Sequence, residues 1–411
     1  MQPVIDSLSG QPRVAQAAAG VPTVSSQSRP LQIRFTGSGS EYFRIWIVNL
    51  LLIVVTLGLY LPFAKARRIR YFYANTLVDG HALGFHGDAW KMFRGFLLLA
   101  VLMGVYGIAG YFSKMVAFLA FIALCVVWPA LWRASMQFRL ANTSWRGMRM
   151  RFDGGLKQAY LAVAPLYLPL VALVGMPLLV EYLTAGPGAP DPGAGAAVVD
   201  PGMWALMALV AVPLMVPWFL AATKRYQHNG YRIAGQHAHS TLSTWPVVGL
   251  CLKTALVGSA PLALLVVVVG AVGTAMGIGQ KGTVVSTWII MGLAALVLLS
   301  YLLWFVAVVP FFTARLQNLV WNSTRSETVV FDSTLRFRDL CGLTLKNWTL
   351  VLLTLGLYRP FAVVNTARLR LEAVQMGVSD DVAQWAAPRR TDMQDATGDS
   401  AGDFFGIDMG L

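Results

Sequence analysis

Charge is scarce in this sequence. Asp, Glu, Lys and Arg together make up 12% of 411 residues, about half the share of roughly 25% usual for a soluble globular domain, which excludes an ordinary water-soluble fold. Acidic residues are scarcer still, 19 against 32 Lys and Arg, for a net charge of +13. Cysteine is nearly absent. Cys125, Cys251 and Cys341 are too few and too scattered for a disulfide framework or a zinc site, and they read as packing residues. The first thirty residues lack the short apolar core and cleavage site of a secretory signal, and their Pro, Ser, Gln and Ala content favours disorder. Insertion into a membrane is therefore expected to be directed by the internal apolar segments.

Those segments are plentiful, since hydrophobic types reach 56%. Runs long enough to cross about 30 Å of hydrocarbon lie at Met92 to Phe112, Met115 to Trp132, Tyr160 to Tyr182, Trp204 to Ala222, Val247 to Met276 and Trp288 to Phe311. The cations are not spread evenly between them. Six Lys and Arg fall in 63–94, six in 133–158, three in 223–246 and five in 312–346, whereas the intervening short loops hold only Lys114 and Lys281. Because Lys and Arg are retained on the cytoplasmic side, twenty against two predicts that the long basic connections are cytoplasmic. Nucleic acid is not the expected partner of this charge. The bilayer and its anionic headgroups are.

The basic connections share a pattern that predicts an internal repeat. Pro62 is followed by Asn75 and Pro129 by Asn142, both thirteen residues on; Pro217 precedes Asn229 and Pro310 precedes Asn322 by twelve; a fifth copy begins at Pro360 and has Glu372 where the asparagine would fall. Each copy predicts a helix bent at its proline and running along the interface, with Phe63, Ile69, Phe72 and Tyr73 in the lipid boundary and Lys65, Arg67, Arg68 and Arg70 reaching phosphate or water. The asparagine is expected to stop the helix in a left-handed C-cap. Short β-prone runs follow around Val78-Asp79-Gly80-His81, Trp145-Arg146-Gly147-Met148 and Ile233-Ala234-Gly235-Gln236, with Phe85, Phe152 and Phe331 closing three hairpins. "QIRFTG", Gln32 to Gly37, resembles a free copy of that closing strand. A layer of cytoplasmic β-hairpins capping the membrane helices is the expected result.

One motif occurs twice: "TLGLYLPFAKARRIR" at Thr56 to Arg70 and "TLGLYRPFAVVNTARLR" at Thr354 to Arg370. Both are flanked by chain that belongs on the cytoplasmic side. A re-entrant segment satisfies this, turning at Gly58 and Gly356 and bending again at Pro62 and Pro360, and it must be shielded by protein at membrane depth. The competing reading is a plain kinked span in each place, for eight crossings. Thr56, Gly58, Tyr60, Thr354, Gly356 and Tyr358 are the candidate pathway residues at these turns. Arg67, Arg68, Arg70, Arg368 and Arg370 are candidates for contact with anionic headgroups or an anionic solute, the plainer alternative being that they set orientation alone.

Catalytic chemistry is thinly represented. "GIGQKG", Gly277 to Gly282, has dinucleotide-like glycines but falls in a short loop between two spans. His228, His237 and His239 have no Cys or carboxylate beside them in sequence. Asp79, Asp153 and Asp332 fit turn chemistry, although an acid and base paired by the fold stays open. No serine-elbow, kinase, phosphate-loop or HExxH pattern occurs. The span centres hold almost no charge, in contrast to ion-driven transporters; Lys253 lies near a cytoplasmic end and Glu181 near a loop. Pro165, Pro169, Gly175, Pro177, Pro213 and Pro261 fit either core kinks or the broken helices of a substrate site. No metal and no cofactor is expected.

The stretch "FTGSGSEYF…NLLLIVVTLGLYLPFAKARRIRYFYANTLVDG" resembles the YjgN-type bacterial inner-membrane proteins, a domain-of-unknown-function family, over about Ile33 to Gly377. That resemblance implies a multi-pass inner-membrane location and carries no activity, substrate or site residues. The expected architecture is an all-α polytopic protein with internal repeats. It has a disordered arm (1–30), a membrane domain (31–377) of six transmembrane helices plus the two re-entrant or kinked segments, small cytoplasmic β-hairpins, and an acidic flexible tail (378–411). The expected task is non-enzymatic passage or binding of a small solute or lipid between repeats; the alternative is a scaffold or regulatory protein whose hairpins recruit a cytoplasmic partner.

Overall fold

The computed structural model describes residues 29–184, 201–233, 235–275 and 287–379. The arm before Arg29, the glycine-rich "GIGQKG", Ala234 of the third turn, and the tail from 380 onward lie outside the described residues, as does the Glu181 side chain.

Five copies of one unit build the described chain. Each copy is a strand, a pair of helices and a second strand, and in each the second strand pairs antiparallel with the first. The first is β1 (Arg29–Phe35), α1 (Gly39–Val55), α2 (Leu61–Ala74) and β2 (Thr76–Val78), with Phe35 opposite Thr76. The second is β3 (His81–Phe85), α3 (Ala89–Phe112), α4 (Lys114–Ala141) and β4 (Thr143–Trp145), with Phe85 opposite Thr143. The third is β5 (Met148–Phe152), α5 (Leu156–Thr184), α6 (Pro201–Asn229) and β6 (Tyr231–Ile233), with Phe152 opposite Tyr231. The fourth starts from two short strands, β7 (Gln236–His237) and β8 (His239–Ser240), and continues through α7 (Thr244–Ala275), α8 (Thr287–Asn322) and β9 (Thr324–Arg325), with Ser240 opposite Thr324. The last is β10 (Val329–Ser333), α9 (Phe337–Leu353), α10 (Arg359–Glu372) and β11 (Val374–Val378), with Ser333 opposite Val374.

One backbone hydrogen bond recurs in all five copies, joining the two feet of each helical pair. The amide following the first strand donates to the carbonyl just before the second: Thr36 to Asn75 at 2.9 Å, His86 to Asn142 at 2.8 Å, Asp153 to Gly230 at 2.9 Å, Thr241 to Ser323 at 2.8 Å and Thr334 to Ala373 at 3.0 Å. Every helical pair therefore leaves from and returns to the same sheet.

Strands of successive copies also pair, so the strands form one eleven-stranded ladder in the order β7-β6-β5-β4-β3-β2-β1-β11-β10-β9-β8. Two-residue turns join β2 to β3 and β4 to β5. Asp79 and Gly80 (φ 52° and 74°) and Arg146 and Gly147 (φ 51° and 81°) supply the positive φ that a tight hairpin turn with the right twist demands. Only Ala238 separates β7 from β8, so the chain itself joins the two ends of the ladder into a ring. Leu31, Val78, Trp145, Met148, Val329 and Val378 fill its interior as a single buried cluster. Segment 32–37 is not a free strand: β1 is shared between β2 and β11 and closes the ring across the whole chain.

The helices form a second ring. Each returning helix packs on the outgoing helix of the next copy: α2 on α3, α4 on α5, α6 on α7, α8 on α9 and α10 on α1. Among the described residues, α3, α4, α5, α7 and α8 are long and apolar enough to cross a membrane, and α6, with 29 residues, carries the segment Trp204 to Ala222. The fold is that of a helical membrane protein. By contrast α1 and α2, of 17 and 14 residues, extend only about 25 and 21 Å.

The asparagine helix stops work differently from expectation. Asn75 and Asn142 sit at φ −96° and −92° rather than in the left-handed region. Each instead turns its Nδ2 back onto the carbonyl four residues earlier, Tyr71 and Phe138, both at 2.8 Å. The side-chain bond adds to a backbone one, since the Asn75 and Asn142 amides donate to the same two carbonyls at 3.2 Å.

Candidate functional site

The two Thr-Leu-Gly-Leu-Tyr turns are nearly superimposable in their bonding. Thr56 Oγ1 donates to Leu52 O at 2.7 Å and accepts from Tyr60 N at 3.0 Å; Thr354 Oγ1 does the same with Leu350 O and Tyr358 N at 2.6 and 2.9 Å. Leu57 (φ 48°) and Gly58 (φ 92°), like Leu355 (φ 49°) and Gly356 (φ 93°), are left-handed, which lets Gly58 N reach Ile53 O and Gly356 N reach Val351 O, both at 2.8 Å. Each threonine thus ends one helix and starts the next. With these bonds made, the turns can present apolar tips: Leu57 and Leu355 are each 94% exposed. Pro62 and Pro360 are buried at the first turn of the returning helices, where a missing N–H costs nothing.

Below each turn a buried asparagine ties the pair together. Asn49 Oδ1 accepts from Arg67 Nη1 at 3.4 Å. Asn347 Nδ2 donates to Ala362 O and Thr366 Oγ1, both at 3.3 Å. Both lie seven residues before their threonine, a spacing visible in the sequence that apolar scanning passes over.

The five candidate arginines do not form one site. Arg70 and Arg368 are latches between copies: Arg70 Nη2 donates to Gly87 O and Arg368 Nη2 to Gly37 O, both at 2.8 Å. Sequence reasoning missed their counterparts, Arg133 Nε on Gly154 O at 2.7 Å, Arg225 Nε on Leu242 O at 3.0 Å, and Asn318 Nδ2 on Leu335 O at 3.0 Å. In every copy the acceptor is the second residue after the strand. The signal was present as Phe-x-Gly at 35–37, 85–87 and 152–154, where a Cβ on the glycine would meet the phenylalanine ring at 2.7 Å or closer, and as Ser-Thr-Leu at 240–242 and 333–335. Glu372 replaces asparagine without loss of function at its position. Its Oε1 accepts from Phe35 N at 3.2 Å, as Asn229 Oδ1 accepts from Ser240 N and Asn322 Oδ1 from Ser333 N, both at 2.6 Å.

Arg67 and Arg70 do meet in a site. With Arg44, Ile45 and Val48 of α1 and Tyr71 of α2 they line an open groove of about 590 Å³. Its outer wall is apolar, continuous with the exposed Val48, Leu51 and Val55. Arg67 also lies over the Tyr60 ring at 5.5 Å, and Arg68 points away, over Phe72 at 5.8 Å. Three arginine side chains thus border one open slot whose walls are mostly apolar. A second groove, about 680 Å³, lies between α5 and α6 and is wholly apolar, with Pro169, Met176, Met207 and Leu214 among its walls.

Arg370 belongs elsewhere. Its Nε donates to Gln317 Oε1 and its carbonyl accepts from Gln317 Nε2, both at 2.9 Å, and burial lowers its pKa. His228, past the apolar span of α6, is buried with Nδ1 2.8 Å from Thr324 Oγ1. Burial first, and the nearby Lys224 charge second, push its pKa down to about 3. No group of three or more His, Cys, Asp or Glu suited to a metal occurs among the described residues.

The sequence is similar to proteins named "Inner membrane protein YjgN": that of Escherichia coli O157:H7, 29% identical over 147 residues, 34% of this chain and 35% of the relative, and that of Salmonella typhimurium (strain LT2), 27% identical over 157 residues, 38% of this chain and 40% of the relative. The Escherichia coli K12 protein of that name is 29% identical over 147 residues, again 34% and 35%. The chain thus spans well under half the length of the curated relatives it matches. No solved structure matches it. The family described as "Bacterial protein of unknown function (DUF898)" matches over residues 30–404; that match runs through all five copies of the strand, helix-pair, strand unit, and the chain belongs to this family.

Proposed function

We propose that this inner-membrane protein is a non-enzymatic binder of anionic lipid, held between α1 and α2 at the edge of the strand ring. The observation that carries the reading is the groove that Arg44, Arg67 and Arg70 line together with Ile45 and Val48. The cations would take the phosphate and the apolar wall the acyl chains. Passage along the axis is disfavoured because the interior of the strand ring is filled by Leu31, Trp145 and their neighbours, so binding is the stronger half of the reading.

The same proposal sets the strand ring in the cytoplasm, supported by twenty cations against two in the connections. It makes α1–α2 and α9–α10 re-entrant. Both feet of each pair stand on one sheet, and helices of about 25 and 21 Å fall short of the roughly 30 Å needed to cross. Six crossings rather than eight follow.

The test is lipid retention. Purified full-length protein in nanodiscs containing equal phosphatidylglycerol and phosphatidylcholine, then delipidated and weighed by native mass spectrometry, should keep phosphatidylglycerol selectively. Arg44→Gln with Arg67→Gln should cut that retention several-fold. Equal retention of both lipids, or no change in the double variant, would remove the proposal in favour of a scaffold whose hairpins bind a protein.

A further inference from the structure

The outer face of the strand ring is charged on one side. Met148, Met150 and Ile233 of β5 and β6 join the buried cluster inside the ring, so the alternation of a strand turns Arg149, Arg151 and Arg232 outward. The register between strands extends the row. Arg151 stands opposite Arg232 and Arg232 opposite His237; past the link at Ala238, His239 stands opposite Arg325. Arg149, Arg151, His237, His239 and Arg325 are all exposed. On β2, β3 and β4 the same face carries Leu77, Ala82, Gly84 and Ser144 instead.

Like charges facing each other across a sheet are unfavourable, and an acid laid over them reverses the sign. Asp153 does this for Arg232 at 3.0 Å. Among the described residues no carboxylate is in ion-pair range of Arg149, Arg151 or Arg325. Glu327 and Asp332 stand further round, in the β9–β10 turn and on β10. The row from β5 to β9 is therefore an exposed strip of four arginines and two histidines with one acid bound to it, and its shape is that of a surface for an extended acidic segment.

We infer that this strip is the docking surface of the chain's own acidic tail, residues 391–411. Those residues hold Asp392, Asp395, Asp399, Asp403 and Asp408 and neither Lys nor Arg. The tail is rooted beside the strip: Ser379, just past β11, donates from its amide and its hydroxyl to Thr328 O at 3.0 and 3.1 Å, three residues beyond Arg325. From β11 round to β5 is six strand spacings, about 30 Å, and residues 380–391 can extend to about 40 Å. Every aspartate from Asp392 onward can therefore reach the strip. An exposed ion pair is weak alone, but arginine takes a carboxylate through paired donors, and the tether keeps several such pairs at high effective concentration. A docked tail covers the arc from β5 to β9, so an acidic partner would have to displace it. The strip shares no residue with the lipid groove, and the two proposals stand or fall separately.

The experiment compares the full chain in phosphatidylcholine nanodiscs with a variant carrying Asp392→Asn, Asp395→Asn, Asp399→Asn, Asp403→Asn and Asp408→Asn, changes that lie outside the packed fold. Arginines are modified with phenylglyoxal and their rates read by peptide mass spectrometry. Arg149, Arg151 and Arg325 should react about fivefold faster in the variant, and Arg34, on the other side of the ring, at the same rate in both. Sodium chloride at about 0.5 M should bring the wild-type rates up to those of the variant. A photo-crosslinking benzoylphenylalanine in place of Phe404 should join peptides of β5 to β9 within one chain, and Arg149→Gln with Arg151→Gln should reduce that yield severalfold. Equal arginine rates in the two proteins overturn the inference. So do cross-links that join two chains, which give the strip to a second copy, and shielding that appears only when phosphatidylglycerol is added to the disc, which gives it to lipid headgroups.

Discussion

Acidification should loosen this protein through one histidine. His228 is buried between the strand and helix rings, its ring 5.2 Å from Trp321 and 5.1 Å from Tyr231, and its pKa of about 3 lies far below the ordinary 6.5. In the unfolded chain the imidazole takes a proton near pH 6.5; in the folded chain it stays neutral until about pH 3. Between those values the unfolded state binds more protons, so stability is complete above pH 6.5 and falls as the pH drops. Each unit of pH costs about 1.4 kcal/mol, so at pH 5 the loss is about 2 kcal/mol. The assay is the unfolding midpoint of the detergent-solubilised protein by intrinsic tryptophan fluorescence between pH 8 and pH 5. His228→Asn, which cannot titrate and still offers Thr324 a hydrogen-bonding side chain, should be less stable at pH 8 yet flatter below pH 6.5. A slope that is unchanged in His228→Asn would refute the reasoning.

Other outcomes follow from the turns and the ring. Gly58→Ala or Gly356→Ala places a Cβ at φ 92° or 93° and should destabilise by about 1 kcal/mol, measured as a lower unfolding midpoint, with the double variant additive. Glu372→Gln keeps an acceptor for the Phe35 amide and should be near neutral, whereas Glu372→Ala orphans it and should cost about 1–3 kcal/mol. Single cysteines at Gly80, Gly147 and Gly235 should all react with an impermeant maleimide from the same side of oriented vesicles; reaction from opposite sides would break the ring.

The repeat was legible because its punctuation is chemical. Prolines, asparagines and the Asp79-Gly80 turn stand at fixed spacings, and the doubled "TLGLY" marks the two short helical pairs. The pairing between copies was not legible. Whether β1 belongs beside β2 alone or also beside β11 depends on contacts across some 340 residues, and nothing local to Arg29–Phe35 encodes it. The arginines illustrate the same limit. Arg67, Arg70, Arg368 and Arg370 look alike as basic residues on interfacial helices, but helical phase divides them among a groove, two latches and a pair of bonds to Gln317. Arg133 and Arg225, which latch as Arg70 does, carried no cue beyond their position, and Glu372 looked like a departure from the repeat until its carboxylate proved to accept the same kind of amide bond.

The closure of the ring by β1 and β11 sets the timetable of biogenesis. On the ribosome β1 is made first and gains β2 early, but its other edge waits for nearly the whole of the remaining translation before β11 arrives to cover it. Throughout that interval the helical pairs of the next three copies are made while one strand edge stays open, so the nascent chain must be kept from pairing with a neighbour until β11 is delivered.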